Sequence, residues 1–97
     1  MDQGELPPVH VAIEDSIDLH PFAPRDVVEV VREYVECARS CGFREVRLIH
    51  GRGGGFQRAA VRALLASLPY VVEAFDAPPE RGGWGATVVL LAPPDET

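Results

Sequence analysis

The sequence predicts one α/β domain of 97 residues, a two-layer sandwich in which two helices cover one face of a four-stranded sheet. Two observations carry this. Apolar residues recur at helical spacing in two stretches, and the segments around them are short runs rich in β-branched residues, bounded by glycine and proline. The resulting order is β-α-β-α-β-β. Two successive β-α-β crossovers of one hand place both helices on the same side of a sheet that grows in one direction.

Val9–Ile13 and Ser16–His20 are the first extended candidates, and the second alternates Ile17 and Leu19 with Asp18 and His20. Pro24 suits a helix's first turn. Val27, Val31, Tyr34, Val35 and Ala38 then keep one apolar face until Gly42 supplies a C-cap. Val46–His50 reads as a strand ended by glycines, and Ala60, Val61, Leu64, Leu65 and Leu68 as a helix ended before Pro69. Val71–Phe75 and Ala86–Leu91 are further strands, separated by about ten residues rich in proline and glycine. Residues 1–8 and 93–97 are expected to be flexible ends around a folded unit spanning 9–92.

Composition narrows the function classes. With 46% hydrophobic residues the chain can bury roughly two-thirds of its unfolded surface unaided. No apolar run approaches the ~18 residues of a membrane span, and Met1–Val9 lacks the basic start of a signal peptide. A cytoplasmic protein without membrane contact is expected. Cys37 and Cys41 lie four apart in the first helix, a poor disulfide geometry, and are expected as buried or half-buried thiols in a reducing compartment. The net charge of −6 disfavours polyanion binding, but its distribution is uneven. Residues 1–43 hold three arginines against nine acids, whereas 44–81 hold six arginines against four. The basic groups therefore collect around the glycine-rich segments.

Chemistry concentrates in three places. His50-Gly51-Arg52-Gly53-Gly54-Gly55 follows a strand and precedes a helix, so its N–H groups and the helix dipole can hold an anion, with Arg52 and Arg58 adding charge. A tight turn needing positive φ is the alternative. His20 and His50 end two strands expected to be parallel neighbours, which suits acid-base catalysis but also a structural role. Asp18 could orient a histidine, ligate Mg²⁺ alone or cap a loop. Gly82, Gly83 and Gly85 permit close backbone approach, and Trp84 could stack on a base or pack across its own loop. His10 is expected at the surface.

Taken together, IDLH at 17–20, IHGRGGGFQR at 49–58 and GGWGATVVLL at 82–91 resemble the small MutS-related (Smr) domain family over almost the whole chain. The resemblance implies a sheet order of 1-2-4-3 with the last strand antiparallel, similar to the C-terminal domain of bacterial translation initiation factor three. Gly85, Ala86 and Thr87 would then lie beside His50. Family members are known as DNA-nicking or RNA-cleaving domains, or as nucleic-acid or ribosome binders. The functional positions carried over are Asp18, His20, His50, Gly51, Arg52 and Gly53. Two departures are visible: Pro21 stands where the family reads glycine, and Gln57 where a leucine is usual. The first removes a backbone donor beside His20.

The expected function is that of a stand-alone Smr-type nuclease acting on branched or nicked DNA or on structured RNA, in repair, recombination or RNA processing. Asp18, His20 and His50 are the candidate catalytic residues. Gly51, Arg52, Gly53, Gly55, Arg58, Gly82, Gly83, Trp84, Gly85 and Thr87 are the candidate binding residues. Mg²⁺ is the conceivable cofactor, on Asp18. A non-catalytic binding module is the rival, and a protein-interaction domain using its acidic first helix is a third reading. The acidic total also suggests a protein partner that supplies access to substrate.

Overall fold

The computed structural model describes residues 13–51 and 56–94. Within them β1 (Ser16–Asp18) leads through a 3-10 turn at Pro24–Asp26 into α1 (Val27–Ser40). Then come β2 (Glu45–Ile49), α2 (Phe56–Ser67), β3 (Val71–Asp76) and β4 (Ala86–Leu91). The candidate strand Val9–Ile13 and His10 lie outside the described residues, apart from Ile13, which is irregular.

Helix α1 buries the five residues its spacing selects: Val27, Val31, Tyr34, Val35 and Ala38. It stops at Gly42, whose φ is 97°. The N–H groups of Phe43 and Gly42 donate to the carbonyls of Ala38 and Arg39, each at 3.0 Å, the paired bonds of a Schellman motif. That left-handed step turns the chain directly into β2.

The sheet order is β1-β2-β4-β3. β1 and β2 are parallel, and β4 is antiparallel to β2 on one side and β3 on the other. Only β4 is reversed, as the resemblance implied. The C-terminal ends of β1, β2 and β3 therefore share one edge with the start of β4.

Strand alternation separates two clusters. Val46, Leu48, Val89 and Leu91 meet Val31, Val35, Val61, Leu64 and Leu65 in the main core between sheet and helices. On the opposite face, Ala86 and Val88 gather with Ala77, packed by Ile49 and Leu90. The connector between β3 and β4 is tied to this second face. Arg47 donates to the Arg81 carbonyl at 3.0 Å, and Arg81 pairs with Glu45 at 3.3 Å. No described helix is long and apolar enough to cross a membrane.

One expectation is overturned. Cys37 and Cys41 are free thiols and both are exposed. Cys37 falls between the core positions Val35 and Ala38 on the solvent side, and Cys41 follows the last helical residue, so neither is carried into the core.

Candidate functional site

The turn after β1 is built by Asp18. Its Oδ1 accepts the backbone N–H of His20 at 2.9 Å and lies 2.6 Å from His20 Nδ1. A carboxylate can only accept, so Nδ1 carries a proton and donates it, which leaves Nε2 as the outer ring nitrogen. The same two contacts, the backbone one foremost, hold the Asp18 carboxyl below its ordinary value. Both side chains are more than half exposed, so this oriented pair faces solvent.

The turn after β2 is built differently. His50 is only 4% exposed, and each ring nitrogen is engaged. Nδ1 lies 3.0 Å from the Gly51 carbonyl and Nε2 lies 2.9 Å from Thr87 Oγ1. The carbonyl must accept, so Nδ1–H donates to it and Nε2 accepts the Thr87 hydroxyl. Burial pushes the imidazole below its usual value, with Arg58 and Arg62 adding to the shift against the Gly51 carbonyl and Asp76. His50 is thus a neutral ring locked between two strands.

Gly51 joins the two turns. Its φ is 85°, and a Cβ built there would lie 2.6 Å from His20 Nε2. Its N–H donates to the Gly85 carbonyl at 2.8 Å, and that carbonyl also receives the His50 N–H at 3.2 Å. Gly85 is buried, and Gly82 and Gly83 form the turn leading to it. Trp84 stands 47% exposed in the same turn. Thus Asp18, His20, His50, Gly51, Gly82, Gly83, Trp84, Gly85 and Thr87 do meet at one edge. Arg52, Gly53 and Gly55 lie outside the described residues.

Arg58 is placed near this edge, but its charge is shared. Its Nη2 donates to Asp76 Oδ1 at 2.6 Å, and Arg62 reaches the same oxygen at 3.4 Å and the Ala74 carbonyl at 3.1 Å. Arg58 holds the Asp76 carboxyl below its ordinary value. Asp76 was not visible in the sequence as a site residue. Its signal is the sheet order, which sets the end of β3 beside Thr87 in register.

Two consequences of the locked His50 can be measured. Thr87→Val keeps shape but leaves a buried ring nitrogen unsatisfied, and urea unfolding is expected to show a loss of about 1–3 kcal/mol. The unfolded chain protonates His50 at a higher pH than the folded chain does. The stability contributed by the neutral ring is therefore complete above the ordinary imidazole value and falls as pH drops below it. In His50→Asn this step is expected to vanish, whereas the acid unfolding tied to Asp18 and Asp76, below the carboxylate range, persists.

Fold and edge together define a class: a two-layer α/β domain with a histidine–glycine turn between strand and helix at the exposed end of its sheet. The Smr domain family model matches residues 17–92, and the chain belongs to that family. It is 39% identical over 77 residues to a Thermus thermophilus protein named Endonuclease MutS2, covering 79% of this chain and 10% of that protein. Against the Aquifex aeolicus protein of the same name it is 42% identical over 92 residues, covering 92% of this chain and 12% of the relative. The chain thus spans about a tenth of the length of the curated relatives it matches. Among solved structures it superposes on the Smr domain of Thermus thermophilus MutS2 with a TM-score of 0.78 and 38% identity, covering 82% of this chain and all of that one. Against YdaL, a stand-alone small MutS-related protein from Escherichia coli, the TM-score is 0.63 at 28% identity, over 80% of this chain and 64% of that one.

Proposed function

We propose that this domain binds nucleic acid at the shared strand edge and cuts its phosphodiester backbone, as a nicking or structure-directed endonuclease. The observation that carries the reading is the exposed Asp18–His20 pair, whose Nε2 lies next to Gly51. The name Endonuclease MutS2, borne by its relatives, supports it.

In the proposed mechanism, phosphate docks beside Gly51 at the N-terminal end of α2, where the helix dipole favours an anion. Nε2 of His20 takes a proton from the attacking oxygen, a ribose 2′-hydroxyl in RNA or water in DNA. That oxygen bonds to phosphorus, the P–O bond to the leaving oxygen breaks, and the leaving oxygen receives the proton held on the imidazolium. Asp18 keeps the reactive nitrogen outward and offsets the positive charge that forms on the ring. His50 and Thr87 maintain the turn. Among the described residues no three His, Cys, Asp or Glu groups converge. A Mg²⁺ ion would therefore have Asp18 as its ligand here and take the rest from water and phosphate, so no step of the mechanism is assigned to it.

Because Arg58 is paired with Asp76 and the chain carries −6 overall, binding is expected to be weak and salt-sensitive, and a partner protein would raise occupancy. The test is cleavage of supercoiled plasmid and of a structured RNA, with Mg²⁺ and with EDTA, by the protein and by His20→Ala. Cleavage by the wild type that falls about 10²–10⁴-fold in the variant is the expected result. Binding by both proteins without cleavage by either would remove the enzymatic step and leave a recognition module.

A further inference from the structure

Four large apolar side chains are exposed among the described residues: Phe22, Val72, Phe75 and Trp84. Val72 and Phe75 belong to β3, at the far side of the sheet from β1. Phe22 and Trp84 instead border the site. Phe22, 37% exposed, closes the turn that carries His20, its N–H donating to the Leu19 carbonyl at 3.2 Å. Trp84 precedes Gly85, whose carbonyl holds the N–H groups of His50 and Gly51.

Sheet order decides where the two turns that carry these rings lie. Phe22 rises from the end of β1 and Trp84 from the start of β4, while the His50–Gly51 turn ends β2, the strand between them. Two strand spacings, about 10 Å in all, therefore separate the strand ends from which the two turns leave. Gly51, with the edge of the His20 ring against it, lies in the interval. Stacked neighbouring bases of a duplex strand are only about 3.4 Å apart. Two successive bases can each cover a ring across this interval only if they are splayed, and splaying requires an unpaired strand.

Resting on the nucleic-acid reading above, we infer that Phe22 and Trp84 form a two-sided base clamp that selects an unpaired strand and seats its linking phosphate at His20 and Gly51. The clamp gives specificity a source other than charge. Aromatic stacking tolerates any base and either sugar, and suits a domain whose net charge is −6. Phe22 is a new element of the site: it has no hydrogen-bonding side chain and belongs to none of the glycine or histidine motifs.

Trp84 is the sole tryptophan of the chain, so its emission reports the contact directly. The experiment titrates the full chain with a short oligothymidylate strand and with a hairpin duplex of matched length, following indole emission and, separately, anisotropy of labelled DNA. Quenching by the single strand, with tighter binding to it than to the duplex, is expected. Phe22→Ala and Trp84→Ala should each weaken single-strand binding by about tenfold or more, and duplex binding far less. Phe22→Tyr should restore it, which a purely structural role in the turn would not predict. Equal affinity for strand and duplex with unchanged emission overturns the clamp while leaving nucleic-acid binding in place. Absence of binding to either at low salt overturns both readings together.

Discussion

Gly51→Ala is expected to lower cleavage by about 100-fold or more, the scale of loss that follows a misplacement near 1 Å at a reacting group. The added methyl would fall 2.6 Å from His20 Nε2, so the imidazole must move away. A non-glycine residue at φ 85° also costs roughly 1–2 kcal/mol of stability. The two effects separate against Gly42→Ala. Gly42 has a similar φ of 97°, yet a Cβ there meets nothing within 4 Å. Both variants should lose comparable stability in urea, and only Gly51→Ala should lose activity. Full cleavage by Gly51→Ala would detach the glycine turn from the chemistry.

Asp18→Asn is the second large effect. The amide oxygen can still accept the His20 backbone N–H, so the turn and the fold should survive. What disappears is the negative charge beside the ring, which in the proposed mechanism supports the imidazolium. If Asp18 acts through His20 as proposed, a fall in kcat of about 10²–10⁴-fold with KM nearly unchanged is expected. Because the two groups work as a unit, Asp18→Asn combined with His20→Ala should be little worse than His20→Ala alone. In the wild type the depressed Asp18 carboxyl stays ionised into the acid range, so loss of this charge cannot set any pH limit near neutrality. A KM rise without a kcat change would reassign Asp18 to substrate binding.

Several site features were legible before any coordinates because they are local. An Asp two residues before a His can orient it, and a glycine after a strand invites a positive φ. Helix α1 was readable for the same reason: its apolar period and Gly42 cap lie within one continuous stretch. Phe22 and Asp76 were not readable in this way. An isolated phenylalanine after a proline carries no period, and Asp76 becomes relevant only through its register opposite Thr87 on a neighbouring strand. Both thiols are exposed for separate reasons: Cys37 falls off the core face of α1, and Cys41 keeps helical spacing with the core but lies just beyond the end of the helix.

By itself, then, the sequence determined the element order, the two amphipathic helices and the three motifs, since backbone preference and hydrophobic period act over a few residues. The tertiary structure alone decided which histidine is buried between strands and which is exposed. His20 and His50 each end a parallel strand in similar polar-glycine surroundings. His50, however, is buried and hydrogen-bonded to a threonine 37 residues away, while the His20 ring, just past the end of β1, is more than half exposed. Burial and hydrogen-bond partnership depend on which strands become neighbours. That choice is made by the whole core packing at once and by no local stretch of chain.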